Sequence, residues 1–160
     1  MKEKFYLFLD IDGVLWDWNW RKTHAEAASK FNPASISALN FLIETIGKKF
    51  DPVLVVTSTW RWDMQRTASA LHRSGLKMKS QILSTPISST PGNRAQEILQ
   101  FLGGQRTKNL LIIDDENFDY HDHFPEKNII KTNQADHSLN YSDAKNWLFS
   151  MGLLAPEMQK

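Results

Sequence analysis

Three observations predict an α/β fold built on a parallel sheet. The apolar runs Phe5–Leu9, Val53–Val56 and Leu110–Ile113 read as strands buried on both faces, as parallel sheets require. Each stops at acidic or small hydroxyl residues: Asp10-Ile11-Asp12-Gly13, Thr57-Ser58-Thr59 and Asp114-Asp115. Helix-patterned segments alternate with these runs, which calls for right-handed crossovers between parallel strands. Ligands of such sheets sit outside the carboxyl ends of the strands, so the three polar endings point to one site.

The elements follow in order. Strands are expected near 5–11, 53–57, 81–84, 110–114 and 128–131, and helices near 35–47, 61–74, 93–103 and 142–151. Ser35-Ile36-Ser37 opens the first helix, whose Ile36, Leu39, Phe41, Leu42, Ile43 and Ile46 form a broad apolar face before Gly47. Gly75 stops the second helix. Pro91-Gly92-Asn93 precedes the third, which closes at Gly103-Gly104. Directly after the first strand, Trp16, Trp18 and Trp20 alternate with Asp17 and Asn19, and this period of two predicts a hairpin-like flap over the site.

At 160 residues the chain suffices for one substantial core and is short for two domains. We expect a single domain over 1–152 and a loosely ordered tail over 153–160, where Pro156 stands among mixed charges. A net charge of +1 offers no global attraction to nucleic acid or anionic membrane, so such a partner must be met by a local patch. The lack of cysteine excludes disulfides, thiolate metal sites and cysteine nucleophiles, and suits a cytoplasmic protein. No apolar stretch approaches the roughly 18 residues of a membrane span. The N-terminus, with Asp10 and Asp12 inside the first dozen residues, reads as a strand and not as a signal peptide.

A carboxylate buried without a partner is costly, so Asp10 and Asp12 need a cation, a hydrogen-bond cage or a reactive task. Gly13 lets the backbone turn sharply and a ligand approach closely. The three strand ends together resemble the haloacid dehalogenase-like (HAD) phosphohydrolases. Asp10-Ile11-Asp12-Gly13-Val14 is similar to their first motif, Val55-Val56-Thr57-Ser58 to the second, and Leu111-Ile112-Ile113-Asp114-Asp115 to the fourth. The third motif is normally a lysine near a helix start; here its best counterpart is Arg94. Ser58-Thr59-Trp60-Arg61 together with Arg94 ahead of Glu97-Ile98 resembles the small HAD domains of bacterial and phage RNA-repair-like proteins. The superfamily resemblance spans about residues 5–132. It implies a Rossmann-like three-layer sandwich with strand order 5-4-1-2-3. The segments 14–52 and 59–93 are too short to hold a cap domain, which leaves an open site suited to bulky or polymeric phosphorylated substrates.

The resemblance implies Mg²⁺-dependent phosphoryl transfer through an aspartyl-phosphate. Asp10 would be the nucleophile and Asp12 the general acid and then base. Asp10, the Asp12 main-chain carbonyl, Asp114 and Asp115 would hold the ion, Asp115 directly or through water. Thr57 and the Ser58 amide would hold a phosphoryl oxygen; alternatively Thr57 caps the following helix, and the two roles are compatible. Arg94 would stabilise nucleophile and phosphate, unless it is an exposed first-turn arginine, in which case Lys77 or Lys79 are the alternatives. Arg61 would reach the substrate phosphate or lie on a helix surface. Asp119 is placed behind the ligands, and His121 and His123 in a polar loop. Most of Trp16, Trp18, Trp20, Trp60 and Trp62 are expected to pack onto the domain, and the remainder to be free to stack a nucleobase. The substrate expected is a nucleotide or nucleic-acid terminal phosphate. The alternatives are a phosphoprotein, a small phosphometabolite, or a binding module of weak activity.

Overall fold

The computed structural model describes residues 1–24, 31–90 and 92–155. Five parallel strands form one sheet: β1 (Lys4–Leu9), β2 (Asp51–Val56), β3 (Leu83–Ser84), β4 (Leu110–Asp114) and β5 (Ile129–Lys131). Their order is β3-β2-β1-β4-β5, so β1 lies at the centre with the strands of the second and fourth motifs on either side. The register sets Leu9 against both Val56 and Ile113, which brings three strand ends to one level.

Alternation along the strands divides the interior into two cores. Phe5, Leu7 and Leu9 of β1, with Leu54, Val56, Leu111 and Ile113, face α2 (Pro33–Gly47), α3 (Met64–Arg73) and α5 (Tyr141–Ser150). Phe8, Val55, Leu110 and Ile112 face α4 (Arg94–Leu102), with Tyr120 and Phe124. The result is the expected three-layer sandwich without a cap.

Local chemistry explains where the elements begin. α2 starts two residues earlier than Ser35 predicts, because the Asn32 side chain accepts from Ala34 N and Pro33 supplies a preset first turn. Ser35 is instead buried and donates to Ser138 Oγ. The second helix is split: a 3-10 segment over Thr59–Asp63 precedes α3, whose cap is Asp63. α4 closes on Gly103 in the left-handed region.

The hairpin flap does not form. Asp17 accepts from Trp20 N and caps a short helix, α1 (Trp18–Thr23), so hydrogen bonding of an Asx cap overrides the period of two. Trp16 alone stays extended and bridges Asp12. Trp16, Trp20 and Trp60 pack on the main core, while Trp18 and Trp62 are exposed. Of the C-terminal stretch, Leu154 is buried in that core, and 156–160 lie outside the described residues. Among the described residues, no helix is long and apolar enough to cross a membrane.

Candidate active site

Asp10 follows β1, and its N–H donates to Ile113 O, which draws it against the end of β4. Thr57 N donates to Leu9 O on the other side, so Asp10 stands between Thr57 and Asp114. One carboxylate oxygen from each of Asp10, Asp114 and Asp115 lies within 4.8 Å of the others. Asp10 and Asp114 are buried, and burial together with the charge of neighbouring carboxylates raises both acids above the usual carboxylate range. Anionic carboxyls this close call for a shared proton or a cation between them.

The first glycine of the chain allows this crowding. Gly13 has φ +82°, and a Cβ there would sit 2.8 Å from Asp115 Cβ and closer still to its carboxyl. The glycine therefore makes room for an acidic side chain as well as for a turn. Its carbonyl is tied down by Thr132 Oγ1 at 2.7 Å.

Asp114 is oriented from both sides. Tyr120 OH donates to its Oδ2 at 2.6 Å and Glu116 N to its Oδ1 at 3.0 Å. These bonds favour the charged form and oppose the dominant effect of burial. Tyr120 itself is buried beside this acid, which pushes its hydroxyl upward and keeps it a donor.

Asp12 does not join the acidic cluster through its side chain. β1 ends at Leu9, so a turn closed by Val14 N and Leu15 N on Ile11 O places it, and strand alternation does not. Its Oδ1 accepts from the indole N–H of Trp16 at 2.9 Å and of Trp60 at 3.1 Å. Indole only donates, so a proton on this carboxyl belongs on Oδ2. The sequence placed these two tryptophans in packing or stacking and did not show their bonds to Asp12.

Ser58, not Thr57, caps the helical segment that follows, its Oγ accepting from Trp60 N. Thr57 is buried, and its carbonyl accepts from Nη1 of both Arg61 and Arg94. Arg61 is buried and reaches Glu97 Oε2 at 2.5 Å; its Nε has no partner. Burial and the neighbouring Arg94 lower the Arg61 guanidinium, and Glu97 offsets part of this. Arg94 lies 3.7 Å from Glu97 Oε1 and stacks near the Phe118 ring. One glutamate thus restrains two guanidinium groups beside three carboxylates. Glu97 was missed in the sequence, although an acid among Ala95, Ile98 and Leu102 on a buried helix face was its signal.

Asp119 accepts from Ala95 N at 3.1 Å and so caps α4 from the loop that follows the acidic strand. Lys77 and Lys79 are exposed between α3 and β3, flanking buried Met78. His121 and His123 are exposed.

The all-oxygen donor set of Asp10, Asp114 and Asp115, crowded within 4.8 Å, fits a hard divalent cation such as Mg²⁺. Sheet order, strand-end acids and the missing cap define a small HAD-type domain of the phosphohydrolase class. The chain belongs to the family described as the HAD domain in Swiss Army Knife RNA repair proteins, which matches residues 6–143. No curated protein and no solved structure matches it.

Proposed function

We propose that this domain is a Mg²⁺-dependent phosphohydrolase that works through an aspartyl-phosphate on Asp10, with a nucleotide or nucleic-acid terminal phosphate as substrate. The convergence of Asp10, Asp114 and Asp115 within 4.8 Å carries the reading. The family's link to RNA repair proteins supports the substrate class. Asp10, Asp114 and Asp115 would hold the ion, which supplies charge compensation between carboxylates and a dianionic phosphate.

In the first step an Asp10 carboxylate oxygen bonds to phosphorus as the ester P–O bond breaks, and Asp12 Oδ2 passes its proton to the leaving oxygen. In the second, the Asp12 carboxylate takes a proton from water. The water oxygen bonds to phosphorus and the Asp10–phosphorus link breaks, releasing inorganic phosphate. Trp16 and Trp60 hold Asp12 Oδ1 through both steps. Arg61 and Arg94, gathered on Thr57 O, are set to neutralise the phosphoryl oxygens, and the planar fork of Arg94 takes the place of the usual lysine.

The test is hydrolysis of an aryl phosphate, nucleoside monophosphates, 3′- and 5′-phosphorylated oligonucleotides, a phosphopeptide and a sugar phosphate, each with Mg²⁺ and with EDTA. Turnover of nucleotides or oligonucleotide ends that is lost in Asp10→Asn supports the proposal. Turnover confined to the phosphopeptide or sugar phosphate overturns the substrate class. Equal residual rates in wild type and Asp10→Asn overturn the enzyme reading in favour of a binding module.

A further inference from the structure

We propose that the surface cavity between the 3-10 segment and α3 receives the base of the terminal nucleoside, stacked on Trp62. This inference rests on the phosphohydrolase reading above and extends it to the leaving group. The cavity measures about 350 Å³ and is lined by Thr59, Trp60, Trp62, Asp63, Arg66 and Thr67.

Its position singles out the leaving-group side. Trp60 lines the cavity and donates its indole N–H to Asp12, the carboxyl that protonates the departing oxygen. Whatever is attached to that oxygen leaves the site past Trp60. Neither Asp10 nor Asp12 lines the cavity. A cavity set apart from the reacting carboxyls suits a base carried on a sugar better than an aromatic ring bound directly to the ester oxygen, as in phosphotyrosine.

The walls suit a base. Trp62 is 72% exposed and offers a flat aromatic face to solvent. Base–aromatic stacking needs only such a face and tolerates any base. Thr67 Oγ1 donates to Trp60 O at 2.6 Å, which pins the floor of the cavity to α3. Asp63 Oδ1 accepts from Arg66 N, so the start of α3 that presents Arg66 is capped. The Arg66 guanidinium is in no ion pair among the described residues, which leaves a donor for the polar edge of a base.

The experiment measures binding of adenosine 5′-monophosphate and of inorganic phosphate to the Asp10→Asn protein, alone and with Trp62→Ala or Trp62→Phe. We expect the nucleotide to bind more tightly than phosphate, Trp62→Ala to weaken the nucleotide about tenfold and leave phosphate unchanged, and Trp62→Phe to restore most of the loss. In the otherwise wild-type protein, Trp62→Ala should raise KM for the nucleotide at constant kcat and leave glycerol phosphate unaffected. Equal affinities for nucleotide and phosphate, or a Trp62→Ala effect that is absent or the same for both, overturns the proposal. So does a loss that is as large for phosphotyrosine. Binding contrast without hydrolysis by any variant would sink the catalytic reading alone; hydrolysis without the contrast would sink this one alone.

Discussion

Asp10→Asn should stabilise the metal-free protein while abolishing turnover, and the size of the gain follows from the acidic cluster. Two unit charges 4.8 Å apart interact by about 3.5 kcal/mol at an effective dielectric constant of about 20. Asp10 faces two such neighbours, but proton uptake caps the penalty at about 1.4 kcal/mol per pH unit above an unfolded pKa of about 3.9. At pH 8 we expect a gain of about 2–4 kcal/mol. For a domain of this size that corresponds to a rise in Tm of roughly 4–15 °C. The sign depends on pH. Acids raised in the folded state contribute stability below the unfolded pKa, and this is lost as pH climbs through the raised values. Metal-free wild type should therefore weaken from about pH 4 upward, and the advantage of Asp10→Asn should shrink towards pH 5. Mg²⁺ should stabilise wild type most at pH 8 and lose that effect in the variant. Thermal unfolding in EDTA at both pH values is the assay. A variant less stable than wild type at pH 8, or a gain of equal size at pH 5, refutes the charge argument.

Three further predictions concern the groups around the cluster. Trp16→Phe removes one of the two donors on Asp12 Oδ1; kcat should fall about threefold to tenfold with KM nearly unchanged, in line with one hydrogen bond. An unchanged kcat in steady-state assays would reduce Trp16 to packing. Arg94→Lys should keep more activity than Arg94→Ala if charge alone serves, and equal losses would single out the planar fork. Glu97→Gln leaves Arg61 buried without its counter-charge and should cost about 3–5 kcal/mol, read as a fall in Tm, whereas a neutral result would show that Thr57 and Ser58 carbonyls suffice.

The fold was legible because each central strand is apolar on both faces, and only a parallel sheet between helices buries such runs. Asp10, Thr57 and Asp114 were legible because they end those runs. What was not legible lies in contacts between distant segments. Nothing in the alternation of Trp16 with Asp17 announces that Asp17 caps a helix, since the competing signals are local and nearly balanced. The pairing of Trp16 and Trp60 on one oxygen joins residues 44 positions apart, one beyond the end of β1 and the other beyond the end of β2. Tyr120, six residues beyond Asp114, resembles any core tyrosine until its hydroxyl is placed. Glu97 is the exception, because a carboxylate on an apolar helix face demands a buried partner.

The cap that Asp119 places on α4 couples two halves of the pocket. The segment leading from the acids at the end of β4 also anchors the helix whose first residue is Arg94, and Phe118, with φ +38°, lies beneath that guanidinium. The acids and the arginine therefore share one anchor: the loop that leaves Asp114 and Asp115 fixes the first turn of the helix that carries Arg94, so neither can be repositioned without straining the same Asp119–Ala95 bond.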